Sequence, residues 1–195
     1  SGRDLTGTIL KGADLSGKDF TGTILTKANL SNANLTGIDL SGKDLTGTIF
    51  VGVDLSGRDL TGVDFTGTIL TRANLSNANL TGIDLSGKDF TGTILVGVDL
   101  SNTDLSNAIL INVNLENATL ENAKLLDTNL DSANLTNTDL RFVLLVNANL
   151  SNAILTGADL TNAVLTGSIL TGSDLENAVL TNAILNCVGH PICNE

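Results

Sequence analysis

A five-residue repeat constrains this chain more than any other feature of its sequence. From Ser1 to Leu185 the chain divides into 37 consecutive units of five residues without an insertion. The fifth residue is Leu in 33 units and Phe in the other four. The fourth is Asp in 15 units, Ile in 9 and Asn in 8, and the first two are mostly Ser or Thr followed by Gly or Asn. Self-similarity at a fixed period predicts a solenoid.

A period of five matches neither the 3.6-residue turn of a helix nor the two-residue alternation of a long strand. It fits short extended segments joined by regular bends. Within an extended segment the third and fifth residues point to one side and the fourth to the other. Gly or Asn at the second position supplies the bend, because these residues tolerate turn conformations. The third and fifth residues are therefore expected inside, and the fourth residue and the bend outside.

Units such as Ala28–Asn32 (ANLSN), Ala33–Gly37 (ANLTG) and Ala158–Asn162 (ADLTN) resemble the A(D/N)LXX pattern of pentapeptide-repeat proteins. The resemblance covers about 95% of the chain. It implies an all-β fold, a right-handed quadrilateral parallel β-helix with four units in each square coil. About nine coils, stacked at roughly 4.8 Å, then form a rod about 45 Å long. Residues 1–185 would form this β-helix and residues 186–195 a C-terminal cap.

Charged residues occupy some of the positions that the pattern turns inward. They are Arg3, Lys18, Lys43, Arg58 and Lys88. A buried and unpaired cation is costly. We therefore expect the stems to lie along the wall with each charge escaping at a corner, or the affected faces to be distorted.

One block of the chain occurs twice. Between residues 16–55 and residues 61–100, 35 of 40 positions agree. The offset of 45 residues is two coils plus one face of the expected β-helix, so the copy would lie on a neighbouring face. A site that occupies one face would not survive this rotation, whereas interior packing would. The duplication favours a scaffold, and it directs the search for function to the second half and the tail.

Outward residues 20 positions apart are expected to form columns along the rod. One column contains Asp44, Asp64, Asp84 and Asp104, and it continues as Lys124, Leu144, Val164 and Ile184. The four aspartates and the apolar residues Leu144, Val164 and Ile184 are the candidate interaction surface. The alternative is that Asp and Asn bond to the backbone at the bends, and that single exposed apolar residues are ordinary.

The charge balance bears on the partner. The net charge is −11, with 11 acids and 8 bases in residues 1–100 and 10 acids and 2 bases in residues 101–195. This balance argues against direct binding of nucleic acid and leaves an unknown protein partner. The family resemblance implies an alternative, a DNA mimic that binds DNA gyrase or another topoisomerase. Family members of that kind typically end in a helical dimerisation module, and only ten residues follow the last unit here.

The residue types offer little for catalysis. His190 is the one histidine, and the flat walls of a rod do not converge the six or more oxygens that a hard cation prefers. We expect no catalytic, cofactor or metal site, and no membrane span because no run of 18 apolar residues exists. The expected function is a structural or protein-interaction scaffold, either monomeric or weakly self-associating end to end or side to side.

The tail, NCVGHPICNE, carries the single Pro, the single His and both cysteines. A disulfide between Cys187 and Cys193 would staple a cap over the end of the solenoid. Two free thiols are one alternative, and a metal site of Cys187, His190 and Cys193 that lacks a fourth ligand is another. A disulfide favours an extracytoplasmic compartment, the periplasm or a thylakoid lumen, since the family is numerous in cyanobacteria. Reduced cysteines would favour the cytoplasm.

The N-terminal end carries no cap of its own in this sequence. The chain contains no Met, which predicts that Ser1 is not the translated start and that a leader, a longer segment or an initiator Met preceded it. Because repeat units begin at residue 1, a preceding segment or another molecule is expected to cover this end.

Overall fold

The computed structural model describes residues 2–194, which form a β-helix held by short parallel bridges. Each regular bridge joins the fourth residues of two units that lie 20 residues apart, from Asp4–Ile24 to Val164–Ile184. These bridges fall in four columns, so 20 residues complete one coil. In the described part of the chain each strand is one bridged residue between turns, and the helical element is a 3₁₀-helix, Pro191–Asn194. Ser1 and Glu195, the outer ends of the predicted domains, lie outside the described residues.

The second residue of every unit turns the chain. Its φ is positive in all 37 units, ranging from 54° at Asn137 to 75° at Gly37. The N–H of the third residue donates to the carbonyl of the preceding fifth residue, as between Ala123 and Leu120 at 2.9 Å. A positive φ at the third of four turn residues, closed by this bond, is the pattern of a type II turn, which favours Gly and Asn. The backbone therefore explains the composition of the second position.

The third and fifth residues fill the interior, as predicted. The Leu and Phe side chains at fifth positions from Phe20 to Leu170 are buried and form one continuous core. Most buried threonines at third positions donate to backbone carbonyls, as Thr48 Oγ1 does to the Leu25 carbonyl at 3.0 Å. Across residues 2–193, no buried side-chain nitrogen or oxygen lacks a hydrogen-bond partner. The core thus combines apolar packing with satisfied hydroxyl groups.

The inward positions that carry a cation are open to solvent to different degrees. Arg3 and Lys18 are exposed, whereas Lys43, Arg58 and Lys88 are half-buried. Partial burial lowers the pKa of Arg58. None of the five charges is sealed inside the β-helix, so the inward orientation of the third residue stands.

Two half-buried cations bind backbone carbonyls in the preceding coil. Lys43 Nζ donates to the Phe20 carbonyl at 2.8 Å, and an Arg58 Nη donates to the Leu35 carbonyl at 2.8 Å. Both acceptors lie 23 residues earlier in the chain, which is also the spacing of the buried threonine bonds. The cations therefore use an acceptor that the fold already offers at third positions.

The face around Arg58 is distorted, which is the second accommodation that the sequence predicts. Arg58 also donates to the Ile38 carbonyl, the acceptor that the N–H of Asp59 would use in a regular ladder. Within the described ranges, Asp19 and Asp39 on this face form no bridge. The guanidinium thus replaces part of the backbone ladder.

The C-terminal residues carry the predicted disulfide at their end of the core. Cys187 and Cys193 are bonded, with Cα atoms 4.9 Å apart, and Cys187 is buried. Oxidation of both cysteines rules out the free-thiol and metal-site alternatives in this structure. The break in phase is one residue, because Ile169 pairs with Val188, which is 19 and not 20 positions later. A Cβ on Gly189 would lie 2.9 Å from the Thr171 nitrogen, so this bend requires glycine.

Reduction of the disulfide is expected to loosen this end. The bond closes a short loop, and in the loop-entropy description it contributes about 2 kcal/mol. We expect the Cys187→Ser/Cys193→Ser variant, and the wild type in reductant, to melt a few degrees below the oxidised protein. Reduction should add two daltons to the intact mass. An unchanged mass, or melting curves that coincide, would contradict the proposed role of the cap.

Candidate interaction surface

The aspartates of the candidate column cap the turns that follow them. The Oδ1 atom of Asp44 accepts a hydrogen bond from the N–H two residues further on at 2.9 Å. Asp64, Asp84 and Asp104 accept the equivalent bond at 2.8, 2.9 and 3.0 Å. These carboxylates therefore have a structural role, the backbone bonding that the sequence left as the alternative to an interaction surface.

The turn bonds also keep these carboxylates ionised. The hydroxyl of Thr66, followed by its N–H, holds the pKa of Asp64 below the usual value. The pKa of Asp44 is lowered by Thr46 in the same way, against a smaller opposing effect of Asp64. The column consequently carries its full negative charge at neutral pH.

The acidic part of the column ends at a lysine. Bridges join Asp44 to Asp64 and Asp84 to Asp104, and Lys124 follows Asp104 along the same column. Lys124 Nζ lies 3.6 Å from Asp104 Oδ2, and both side chains are partly exposed. Such a surface pair contributes little stability, but it does neutralise the last aspartate of the run.

Beyond Lys124 the column is apolar. Leu144, Val164 and Ile184 are bridged in succession to Lys124 and to one another. Leu144 and Val164 are half-buried, and Ile184 is 49% exposed. The structure thus brings the seven candidate residues into one column, and their role in binding stays a prediction.

The sequence reading missed one residue beside this column, Phe142. It occupies the second position of a unit, where its φ is 58°, and its side chain is 45% exposed. The sequence did contain a signal, because four of the five phenylalanines stand at fifth positions and Phe142 is the one that does not. Because the other four phenylalanines are inward residues, Phe142 was not recognised as an outward one.

Arg141, the neighbour of Phe142, is fixed by two carboxylates. Its Nε and an Nη atom donate to the two oxygens of Asp139 at 2.8 and 2.7 Å, and the same Nη donates to Glu121 Oε2 at 3.1 Å. The bidentate contact lowers the pKa of Asp139, and the carboxylates raise that of Arg141. Charge-assisted pairs of this geometry hold side chains in fixed positions, so the surface next to Phe142 is ordered.

The walls offer flat surfaces more than enclosed sites. One opening of about 460 Å³ lies at the N-terminal end of the core and is lined by Leu5, Leu10, Leu15 and Phe20 among others. Among residues 2–194, no group of three or more His, Cys, Asp or Glu side chains is arranged to hold a metal ion. In the same part of the chain, no helix has the length and apolar character needed to cross a bilayer.

The turn bonds predict how stability depends on pH. Because the folded-state pKa values of Asp44, Asp64 and Asp84 are lowered, their contribution is complete above the unfolded value of about 3.9 and is lost as the pH falls through the folded values. The urea concentration at the midpoint of unfolding should therefore decrease as the pH is lowered below about 4. Asn at all three positions should reduce that fall, since Asn134 makes the same turn bond without titrating. An acid response equal to that of the wild type would contradict this.

Comparisons with known proteins agree with this architecture. HetL, a pentapeptide repeat protein involved in heterocyst differentiation regulation in the cyanobacterium Nostoc sp. strain PCC 7120, is 26% identical over 97% of this chain and 89% of its own, with a TM-score of 0.61. Trypsin-treated QnrB1, a plasmid-mediated fluoroquinolone resistance protein, is 21% identical over 90% of this chain and 87% of its own, with a TM-score of 0.52. Rfr23, a pentapeptide repeat protein from the cyanobacterium Cyanothece 51142, is 35% identical over 73% of this chain and 91% of its own, with a TM-score of 0.42.

A comparison with functionally curated proteins gives no match. The family model for pentapeptide repeats matches most of the chain, in eight copies. The matched residues are 4–42, 48–87, 89–122, 108–145 and 144–182. Together with the 20-residue coil and the turn at every second position, these matches show that the chain belongs to the pentapeptide repeat family.

Proposed function

We propose that this chain is a non-catalytic scaffold that binds a protein partner on the lateral faces of its β-helix. The observation that supports the proposal is that the β-helix has a filled interior and presents its outward side chains on flat faces. The interior is filled, and outward aspartates such as Asp44 and Asp64 are engaged in turn bonds. Side chains are thus presented on flat faces. Similarity to HetL, which is involved in regulating differentiation, supports an interaction role.

The proposed scaffold is a right-handed, quadrilateral rod of about nine coils with residues 1–185 as its body and residues 186–195 as its cap. Coils that stack at roughly 4.8 Å place outward side chains at a fixed spacing along each face. A partner would therefore meet an ordered array in which little conformational entropy remains to be lost on binding.

The proposed contact surface is the column that begins with the aspartates and ends with Leu144, Val164 and Ile184. Its charge suits a basic protein partner, because complementary charge accelerates encounter and selects partners. The net charge of −11 argues against direct contact with nucleic acid. The scaffold acts as a monomer or through weak self-association.

The disulfide supports a location outside the cytoplasm, in the periplasm or a thylakoid lumen. Bonds between cysteines form and persist in oxidising compartments and are rare in reducing ones. The Cys187–Cys193 bond closes a loop within the tail at the end of the core. The proposed cap would keep this bond in an oxidising compartment.

The second candidate is a DNA mimic that binds DNA gyrase or another topoisomerase. The bridged aspartates of the column favour it, since they repeat negative charge along one face. The run is short, however, because Ile24 precedes Asp44 and Lys124 follows Asp104. Four charges spaced by roughly 4.8 Å are also sparser than those of one strand of duplex DNA, which carries one per about 3.4 Å. The scaffold is therefore the better supported function.

Neutralising the acidic column tests the proposed surface. We expect the wild type, immobilised in its oxidised form, to capture a partner from an extract of the source cells, and the variant with Asn at residues 44, 64, 84 and 104 to lose most of that partner. The matched control carries Asn at residues 19, 39, 59 and 99 on another face. Both variants have the same net charge and keep the turn bonds. Equal loss in both would contradict a face-specific site.

A gyrase supercoiling assay separates the two candidates. The scaffold proposal predicts that stoichiometric protein leaves supercoiling, and its inhibition by a fluoroquinolone, unchanged. Inhibition of supercoiling, or protection against the drug, that disappears in the variant with Asn at residues 44, 64, 84 and 104 would establish the DNA mimic and overturn the scaffold.

A further inference from the structure

The unit Arg141–Leu145 (RFVLL) departs from the repeat at its outward positions. Phe142 adopts a φ of 58°, which is unfavourable for a bulky residue. At the same corner, the residues 20 positions before and after it are Asn122 and Asn162, which suit this conformation. A strained residue persists where the surrounding structure imposes it, and such residues concentrate at functional sites. Phe142 is 45% exposed, so burial of its ring does not account for its presence.

Phe142 extends the apolar end of the column into a wider surface. It stands at the turn that leads into the face of Leu144, and Leu126 and Val146 stand at the turns that leave this face. A bond of 2.9 Å from the N–H of residue 127 to the Val146 carbonyl keeps those two turns adjacent. We call Leu126, Phe142, Leu144, Val146, Val164 and Ile184 the Phe142 surface. Phe142 and Ile184 are exposed and the other four residues are half-buried. Apolar residues grouped on one surface, unlike scattered ones, are candidates for an interaction site.

The Phe142 surface lies in the acidic half of the chain. Residues 101–195 contain 10 acids and 2 bases, and both bases are already paired, Lys124 with Asp104 and Arg141 with Asp139 and Glu121. In residues 101–195, an approaching partner therefore meets carboxylates, while both cations of this half are already held in ion pairs. Like charge disfavours the same face of a second copy, and it also disfavours nucleic acid and anionic membranes.

We propose that the Phe142 surface binds a protein segment in which an aromatic or aliphatic residue is flanked by Lys or Arg. This inference rests on the proposed scaffold function and names the partner chemistry of that function. The apolar residue of the segment would pack against Phe142 and Leu144, and a flanking cation would pair with Asp127, which is exposed and stands at the turn next to Val146. Aromatic residues at the centre of an interface carry a large part of its binding free energy.

Synthetic peptides test this surface directly. The probe is a fluorescein-labelled peptide with one Phe and one Leu between two pairs of Lys. A second peptide has Ser in place of Phe and Leu, and a third has Glu in place of Lys. Fluorescence anisotropy at low salt should show that the wild type binds the first peptide about tenfold or more tightly than either of the others.

The Phe142→Asn variant restores the residue type that the repeat prefers at this corner. We expect it to lose about tenfold in affinity for the first peptide while its melting temperature rises by about 2–4 °C, because the strain is relieved. Ile154→Asn is the matched control, since Ile154 is also 45% exposed but stands on another face. That variant should bind like the wild type.

Several outcomes would overturn the inference. It fails if Phe142→Asn binds the first peptide as tightly as the wild type, or if the Ser peptide binds equally well. It also fails if sedimentation shows a dimer that Phe142→Asn abolishes, because the surface then belongs to a second copy. If binding survives Phe142→Asn but requires the aspartate column, the Phe142 surface fails and the scaffold stands. If no peptide binds and no partner is captured, both proposals fail.

Discussion

The turn at the second residue of each unit is the constraint on which the rest of this molecule depends. A positive φ, repeated in all 37 units, redirects the chain every five residues and lets the next extended residue pair with the coil behind it. Lys124, for example, donates its N–H to the Thr103 carbonyl of the preceding coil at 3.0 Å. Because each coil hydrogen-bonds mainly to its neighbours, no coil is expected to be stable alone. Gly and Asn at the turn, and Leu and small residues inside, are consequences of this geometry.

The period of the sequence predicts the direction of each side chain but not the reach of the long ones. Inside and outside could be assigned from residue number, and the two cysteines of the tail favoured a disulfide over free thiols or a metal site. The bonds of Lys43 and Arg58 to carbonyls of the preceding coil could not be predicted, since several conformations of a long side chain fit one position. The pairing of Ile169 with Val188 lies where the repeat ends, and there the period no longer gives the register. Phe142 was not predicted as a surface residue, because the repeat pattern is defined by the common residue types at each position and not by the exceptions.

The same regularity separates the requirements of folding from those of binding. Aspartates such as Asp64 cap the turns, and Asn134 makes the same turn bond without a charge. The charge is therefore available to a partner without being needed for that bond. Phe142 shows the opposite relation, since the fold would prefer Asn and the surface gains an exposed aromatic ring. On such a wall, a residue type that suits the turn less well than Gly or Asn is a candidate for a role in binding.

A pair of valine substitutions in one unit tests the central role of the turn most directly. Asn117 has a φ of 57°, whereas Thr119, two residues later, is a bridged and outward residue. Urea unfolding should show that Asn117→Val lowers the free energy of unfolding by about 1–3 kcal/mol, because a β-branched residue is strained at positive φ. Thr119→Val should change it by less than about 0.5 kcal/mol. Equal effects of the two substitutions would contradict the claim that the turn conformation governs this fold.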